Sequence, residues 1–349
     1  MKWLGRALLT LLISIALAAL TGWGAIAIYY SNLPSEGIRI VLAFAFAIFG
    51  AALLVWYLFS TKRARPLLVF LAAFLLVVAW WSTIPPRQNR DWAPEYARLP
   101  YATINGDLVT IHNIRNFDYR TETDFTPRYY TKTFDLRQLD SVDVIACYWM
   151  GDAIAHISLS FGFGDKDFLA ISIETRRERH ESYSTVAGFF KQYELFYVVA
   201  DERDLIRLRT NYRKDPPEDV YLYRTRAPAT NVRRLFLDYI REINSLAEKP
   251  EFYNALTTNC TTSILTHTRV NQGGLPLSWK VLLSGYLPQY LYERSGIDTS
   301  LPLEELKRRS HINAAAQAAD NAPDFSQRIR AGLPIPPPNP SRLTPDVKR

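Results

Sequence analysis

Two cysteines in 349 residues are too few for a disulfide scaffold and leave either one bridge or two separate thiols. The five histidines form no HExxH and no spaced histidine–carboxylate set, and there is no CxxC, so no metal is expected. GxGxxG and P-loop motifs are absent, which removes the usual nucleotide cradles, and no cofactor of any kind is expected. Without a GxSxG elbow a serine hydrolase has no anchor residue. No internal repeat is visible. Acid is scarce at one end only. The net charge of +7 suggests a nucleic-acid partner until it is located: residues 1–84 hold six bases and one acid, leaving 35 bases and 33 acids of the chain's 41 and 34. A nearly neutral remainder argues against a nucleic-acid surface.

The N-terminal third supplies apolar length. Ala7 to Tyr30, Ile40 to Ser60 and Leu67 to Ile84 each approach the ~20 residues that a bilayer-spanning helix needs. A cleaved signal peptide would account for the first run alone, but two further runs point to a three-span anchor over residues 1–84. Lys2 and Arg6 precede the first run and Thr61 to Arg65 (TKRAR) joins the second to the third. Basic loops stay on the cytoplasmic side, so the body after Ile84 is expected on the outer face. In a Gram-negative bacterium that is the periplasmic side of the inner membrane. Trp80, Trp81 and Trp92 suit an interfacial belt, and Pro85-Pro86 stops the last helix.

The body, residues 85–331, mixes strand and helix signals and reads as α+β. Tyr101 to Ile111 alternates around Asn105-Gly106, a strong hairpin signal. Asn113 to Arg120 has no clear period and reads as a loop or edge strand. Val142 to Trp149, with Cys147, reads as a buried strand. Ala153 to Phe163 puts Ile157, Leu159 and Phe161 on a buried face and His156 on a more polar one. If Gly164-Asp165-Lys166 closes a hairpin into Phe168 to Glu174, Phe163 pairs with Asp167 and His156 falls opposite Glu174. Strands are also expected at Glu194 to Val199 and Val220 to Tyr223. Helices are expected over Glu202 to Arg213, Asn231 to Ala247, Trp279 to Tyr292 and Leu303 to Ala319. Residues 332–349 are Pro-rich and read as a flexible extension.

Thr257 to His267 (TTNCTTSILTH) carries the candidate chemistry. Cys260 opens a helix whose cap is Asn259 or Thr258, and unpaired N–H groups and the helix dipole favour a thiolate there. The same N–H groups can hold an oxyanion. The surrounding threonines are poor helix formers, a broken local rule of the kind found at functional sites. A carboxylate at Glu174 can hold one ring nitrogen of His156 and leave the other for the thiol. His267 lies ~10 Å along the helix from Cys260, too far to be its base. The bland alternatives are a Cys147–Cys260 disulfide and a satisfied half-buried histidine.

NIRNFDYR (113–120), IAHISLSFGF (154–163), ISIETRRE (171–178), YELFYVVADERD (193–204), TTNCTTSI (257–264) and GYLPQYLYERSGID (285–298), in this order, resemble the Lnb N-terminal periplasmic domain family. That family is similar to permuted NlpC/P60 papain-like thiol enzymes, in which a strand histidine precedes the cysteine. The resemblance implies an antiparallel sheet with packed helices, Cys260 as nucleophile, His156 as its base and Glu174 as the third polar residue. It also implies acyl transfer from membrane phospholipid to a lipoprotein amino group. Two other readings stay open: an envelope thiol hydrolase using the same site, and a structural envelope module with bridged cysteines.

Overall fold

The computed structural model of the chain describes residues 2–164 and 166–337; most of the Pro-rich extension, from 338 on, lies outside the described residues. Two compact units are present, one of residues 1–88 with 183–194 and one of the remainder.

The first unit is built on α1 (Lys2–Tyr29), α2 (Glu36–Phe59) and α3 (Ala64–Ser82), all long and apolar enough to cross a membrane. Most large side chains on them are exposed, among them Leu8, Phe44, Ile48 and Leu76, the pattern of helices whose solvent is lipid. Small residues let α1 and α2 approach closely: a Cβ on Gly24 would strike the Phe46 ring, and one on Gly50 would strike Thr21. The short segment 183–194 belongs to this unit. Lys191 Nζ donates to the carbonyls of Trp81, Ser82 and Ile84, and Phe190 packs against Trp23 and Tyr30.

The second unit is α+β. Its strands are β1 (Tyr101–Asn105), β2 (Leu108–Arg115), β3 (Asp118–Tyr119), β4 (Phe125–Thr126), β5 (Tyr129–Asp135), β6 (Leu139–Tyr148), β7 (His156–Phe163), β8 (Asp167–Arg176), β9 (Glu194–Ala200) and β10 (Asp219–Arg224). One sheet runs β1-β2-β9-β8-β7-β6-β10, with β5 also on β2; β3 and β4 pair separately. The pairs β1/β2, β2/β5, β6/β7, β7/β8 and β6/β10 are antiparallel. β2 meets β9 in parallel at Arg115–Ala200, so the sheet is mixed rather than purely antiparallel. A long crossover separates those two strands in sequence, and such a connection permits parallel pairing where a hairpin does not.

Helices cover both faces: α4 (Glu202–Arg207), α5 (Ala229–Glu248), α6 (Cys260–Thr268), α7 (Trp279–Leu282), α8 (Leu287–Glu293), α9 (Leu303–Arg309), α10 (Asn313–Ala318) and α11 (Phe325–Arg328). α5 buries Val232, Leu235, Phe236, Tyr239, Ile240, Ile243 and Leu246. Phe236 meets Phe161 and Phe163 of β7 edge to face, 5.1 and 5.5 Å between ring centres. On the opposite face Ile145, Cys147, Ala170, Val198 and Leu222 pack with Leu205, Ile206, Ile312, Phe325 and Ile329. The side of β7 that carries His156 is therefore interior, with Ser158 and Ser160 buried, and not the half-solvated face that its alternation suggests.

Two expected helices are broken, each by a contact with a distant part of the chain. Between α7 and α8, Gly285 approaches the backbone of Asp152 so closely that a Cβ would overlap the Asp152 carbonyl oxygen. Between α9 and α10 the chain straightens and bonds the outer edge of β10, Leu222 N to Ser310 O and Ile312 N to Val220 O, both 2.9 Å. That break covers an edge strand which would otherwise present unpaired amides. The helix expected to Arg213 is regular only to Arg207 and widens into a π-type turn over Leu208–Tyr212.

Candidate active site

α6 begins at Cys260 because Asn259 caps it. The Asn259 side chain accepts from Thr262 N (2.9 Å), and Thr262 Oγ1 accepts in return from Asn259 N (3.0 Å), a reciprocal box. Thr258 Oγ1 accepts from Asn254 N (2.7 Å), which tightens the approach to the cap. The threonines are thus consistent with local rules: they supply hydroxyls to a helix start, where such residues are favoured. The sulfur of Cys260 is left at the first helical position, half-buried.

β7 and β8 form the expected hairpin, with Phe163 opposite Asp167 and Ser158 opposite Ser172. Gly164 opens its turn at φ +65°, a conformation that disfavours side chains. Two residues beyond the Ser158–Ser172 pair, the same register sets His156 against Glu174. His156 Nε2 lies 3.1 Å from Glu174 Oε1 and 2.6 Å from Ser172 Oγ, and the Ser172 hydroxyl donates to Glu174 Oε1 at 2.7 Å. Since the Ser172 proton is spent on Glu174, Nε2 faces two acceptors and must carry hydrogen. Nδ1 is the ring nitrogen left for another partner. The thiol of Cys260 lies against His156 and the Ile157 amide, and both lower its pKa. Strand, strand and helix thus bring Cys260, His156 and Glu174 together.

Electrostatics favour charge separation across the group. Burial opposes an imidazolium at His156, but Glu174, with hydrogen bonds to Cys260 and Glu174, outweighs it and lifts the pKa to about 9. Burial likewise opposes charge on Glu174, yet His156, Arg209 and Ser172 hold its carboxyl well below the usual range. For Cys260, burial raises the thiol pKa, while the bond to His156, its charge and the Ile157 amide bring the net value below the ordinary one. Shifts in these directions favour charge separation into a thiolate and an imidazolium. Cys147, directly across from His156 on β6, is different. It is fully buried and pushed by burial to about 12, an unreactive thiol; both sulfurs are free, with no bridge between them.

Three partners of this group went unseen in the sequence. Ser172 had a signal: two residues before Glu174 on one strand, it must share that residue's face. Arg209 and Glu218 had none. Arg209 rides the π-type turn, and wider turns of this kind occur often at functional sites. Its Nη2 lies 3.3 Å from Glu174 Oε1 and its Nη1 2.9 Å from Glu218 Oε2. Arg209, with Arg115, Arg177, Arg213, Tyr96 and Tyr119, lines a polar cavity of about 80 Å³ that Glu174 borders. His267, at the far end of α6, is engaged elsewhere: its Nδ1 lies 2.9 Å from Asp238 Oδ2 and its Nε2 2.7 Å from the Tyr197 hydroxyl.

Residues 125–285 match the family model of the Lnb N-terminal periplasmic domain. This stretch is an Lnb N-terminal domain. The match spans His156, Ser172, Glu174, Arg209 and Cys260 and begins well after the three apolar helices. No curated protein and no solved structure matches the chain. The Lnb-type domain together with three membrane-length helices makes the chain a membrane protein with a periplasmic module.

Proposed function

We propose that the chain is a membrane-anchored cysteine acyltransferase acting at the outer face of the inner membrane. The observation that carries this reading is the thiol at a helix start, set against an imidazole whose Nε2 is held by Glu174 and Ser172. In the first half-reaction the Cys260 thiolate attacks an ester carbonyl of a phospholipid. Amides of the first turn of α6 face the oxyanion that forms. The tetrahedral adduct collapses, the His156 imidazolium gives its proton to the departing lyso-lipid oxygen, and a thioester remains on Cys260. In the second half-reaction a lipoprotein amine attacks the thioester, His156 takes the amine's proton, and the thiolate is released as the amide forms. Glu174 stays ionised throughout and stabilises the imidazolium, with Arg209 and Ser172 fixing its orientation. A membrane tether favours this chemistry because lipid is then present at high local concentration.

The test uses the full chain in vesicles with phospholipid labelled in its acyl chain. A labelled, hydroxylamine-sensitive protein adduct is expected in wild type and absent in Cys260→Ala. Added amine-bearing lipopeptide should then take up the label. Label released only as free fatty acid would mark a hydrolase, and no adduct with any phospholipid would overturn the proposal.

A further inference from the structure

One surface beside this group does not suit water. Leu277, Trp279, Leu282 and Leu283 fall within seven residues and are exposed, Leu277 at 65% and Trp279 at 56%. So dense a cluster of large apolar side chains is uncommon on a solvated domain and marks an interaction surface. Its charge pattern says which kind. None of the chain's 34 acidic residues falls between Glu251 and Glu293, while Arg269 and Lys280 do. Lys280 lays its ammonium over the Trp279 ring, 5.6 Å from its centre, and Trp279 packs edge to face on Tyr286 at 5.3 Å. Lys280 is itself paired with Glu293, so the segment presents apolar surface without net charge, and leucines beside an amphipathic aromatic in a stretch that holds no acid of its own are what a lipid interface selects; an acidic side chain within it would be costly to desolvate.

The cluster is fixed in position relative to the thiol and imidazole. Ala155 N donates to Ser284 Oγ (3.0 Å), Gly285 N donates to Ala153 O (3.1 Å), and the Tyr148 hydroxyl donates to Gly285 O (2.7 Å). These bonds pin the segment to the start of β7, one residue before His156. α7 also packs against α6, whose first residue is Cys260.

We infer that the segment Leu277–Leu283 inserts its apolar side chains into the lipid bilayer surface and holds the Cys260–His156 group at the membrane. The purpose of this docking rests on the acyl-transfer reading, but its test does not. The full chain is reconstituted in vesicles of phosphatidylglycerol and phosphatidylcholine, with plain or acyl-brominated phosphatidylcholine. Of the eight tryptophans, Trp279 is isolated as the emission lost in Trp279→Phe. Brominated lipid is expected to cut that difference signal by about twofold or more, while aqueous iodide barely changes it. Trp279→Phe carrying Leu277→Trp supplies a second reporter, expected to be quenched in the same way. Iodide quenching without lipid quenching would show a solvated segment and overturn the inference. Quenching by neither, with Leu277–Leu283 cross-linked to a second copy or another protein, would overturn it equally. Cys260→Ala protein should give the same quenching as wild type, so a failure of the acyl chemistry and a failure of docking read out separately.

Discussion

His156 carries the clearest pH signature in the molecule. Iodoacetate is an anion, so it should alkylate Cys260 fastest while thiolate and imidazolium coexist, and lose rate as the imidazolium deprotonates near about 9. Glu174→Gln removes the charge that lifts this pKa, and the alkaline fall should move down toward the ordinary histidine value of about 6.5. Ser172→Ala should move it in the same direction by less, since Glu174 remains. A fall that stays in place in Glu174→Gln would remove Glu174 from the proposed group. Cys147, buried and raised to about 12, should stay unmodified throughout, which peptide mass mapping reads directly. The same shift has a stability sign. A histidine whose pKa is raised by folding stabilises the native state fully below its unfolded value of about 6.5 and loses that contribution as pH climbs. The loss is complete only once pH passes through about 9. Thermal unfolding midpoints should decline over that interval in wild type and decline less in Glu174→Gln.

At the scale of elements, the start of α6 should be sensitive to its cap. Asn259→Ala removes an acceptor from Thr262 N and half of the reciprocal box, at a cost of about 1 kcal/mol. Phe236→Ala, which empties the contact with Phe161 and Phe163, should cost about 3–5 kcal/mol. Denaturant titration of the detergent-solubilised chain compares the two, and the cap variant should also slow alkylation of Cys260 where the core variant, if still folded, does not. Both features were readable in sequence because local rules set them: an Asn before a helical pattern, and apolar residues at helical spacing. The β7/β8 register was readable for the same reason, a glycine turn between alternating runs. What could not be read was set by partners distant in the chain. The helix after Leu303 breaks to cover β10, and the one after Trp279 breaks because Gly285 meets the Asp152 backbone. The polar side of β7 is interior because α4, α10 and α11 come from later sequence to cover it. Arg209, one arginine among many, gained its place beside Glu174 only through the fold.

For the molecule as a whole, neutrality of the body conceals strongly charged interior joints, and one of them ties the last described helix to the sheet. Arg330, just after α11, places Nε 2.9 Å from Asp143 Oδ2 of β6 and Nη2 2.6 Å from Glu202 Oε1 of α4. Its guanidinium lies 3.6 Å from the centre of the Phe168 ring of β8. Ser160 of β7 donates to Glu202 at 2.5 Å, and Arg224 of β10 pairs with the second Asp143 oxygen at 2.8 Å. Three strands and a helix therefore converge on one side chain that arrives from near the end of the described residues, and β10 joins them through Asp143. Deleting a partner from a buried pair is more damaging than the net worth of the pair, because the remaining charges stay desolvated. Arg330→Met keeps much of the apolar volume but leaves Asp143 and Glu202 facing each other without their shared cation, and should destabilise the chain by about 3–5 kcal/mol. Burial already raises Asp143, and Arg330 is a leading cause of the lowered value at Glu202. In the variant both carboxyls should therefore take up protons more readily, so the deficit should narrow as pH falls from about 7 toward about 5. Denaturation curves of wild type and Arg330→Met at those two values test the account. A deficit that does not depend on pH would mean that the arginine acts through its packing on Phe168 rather than through its charge.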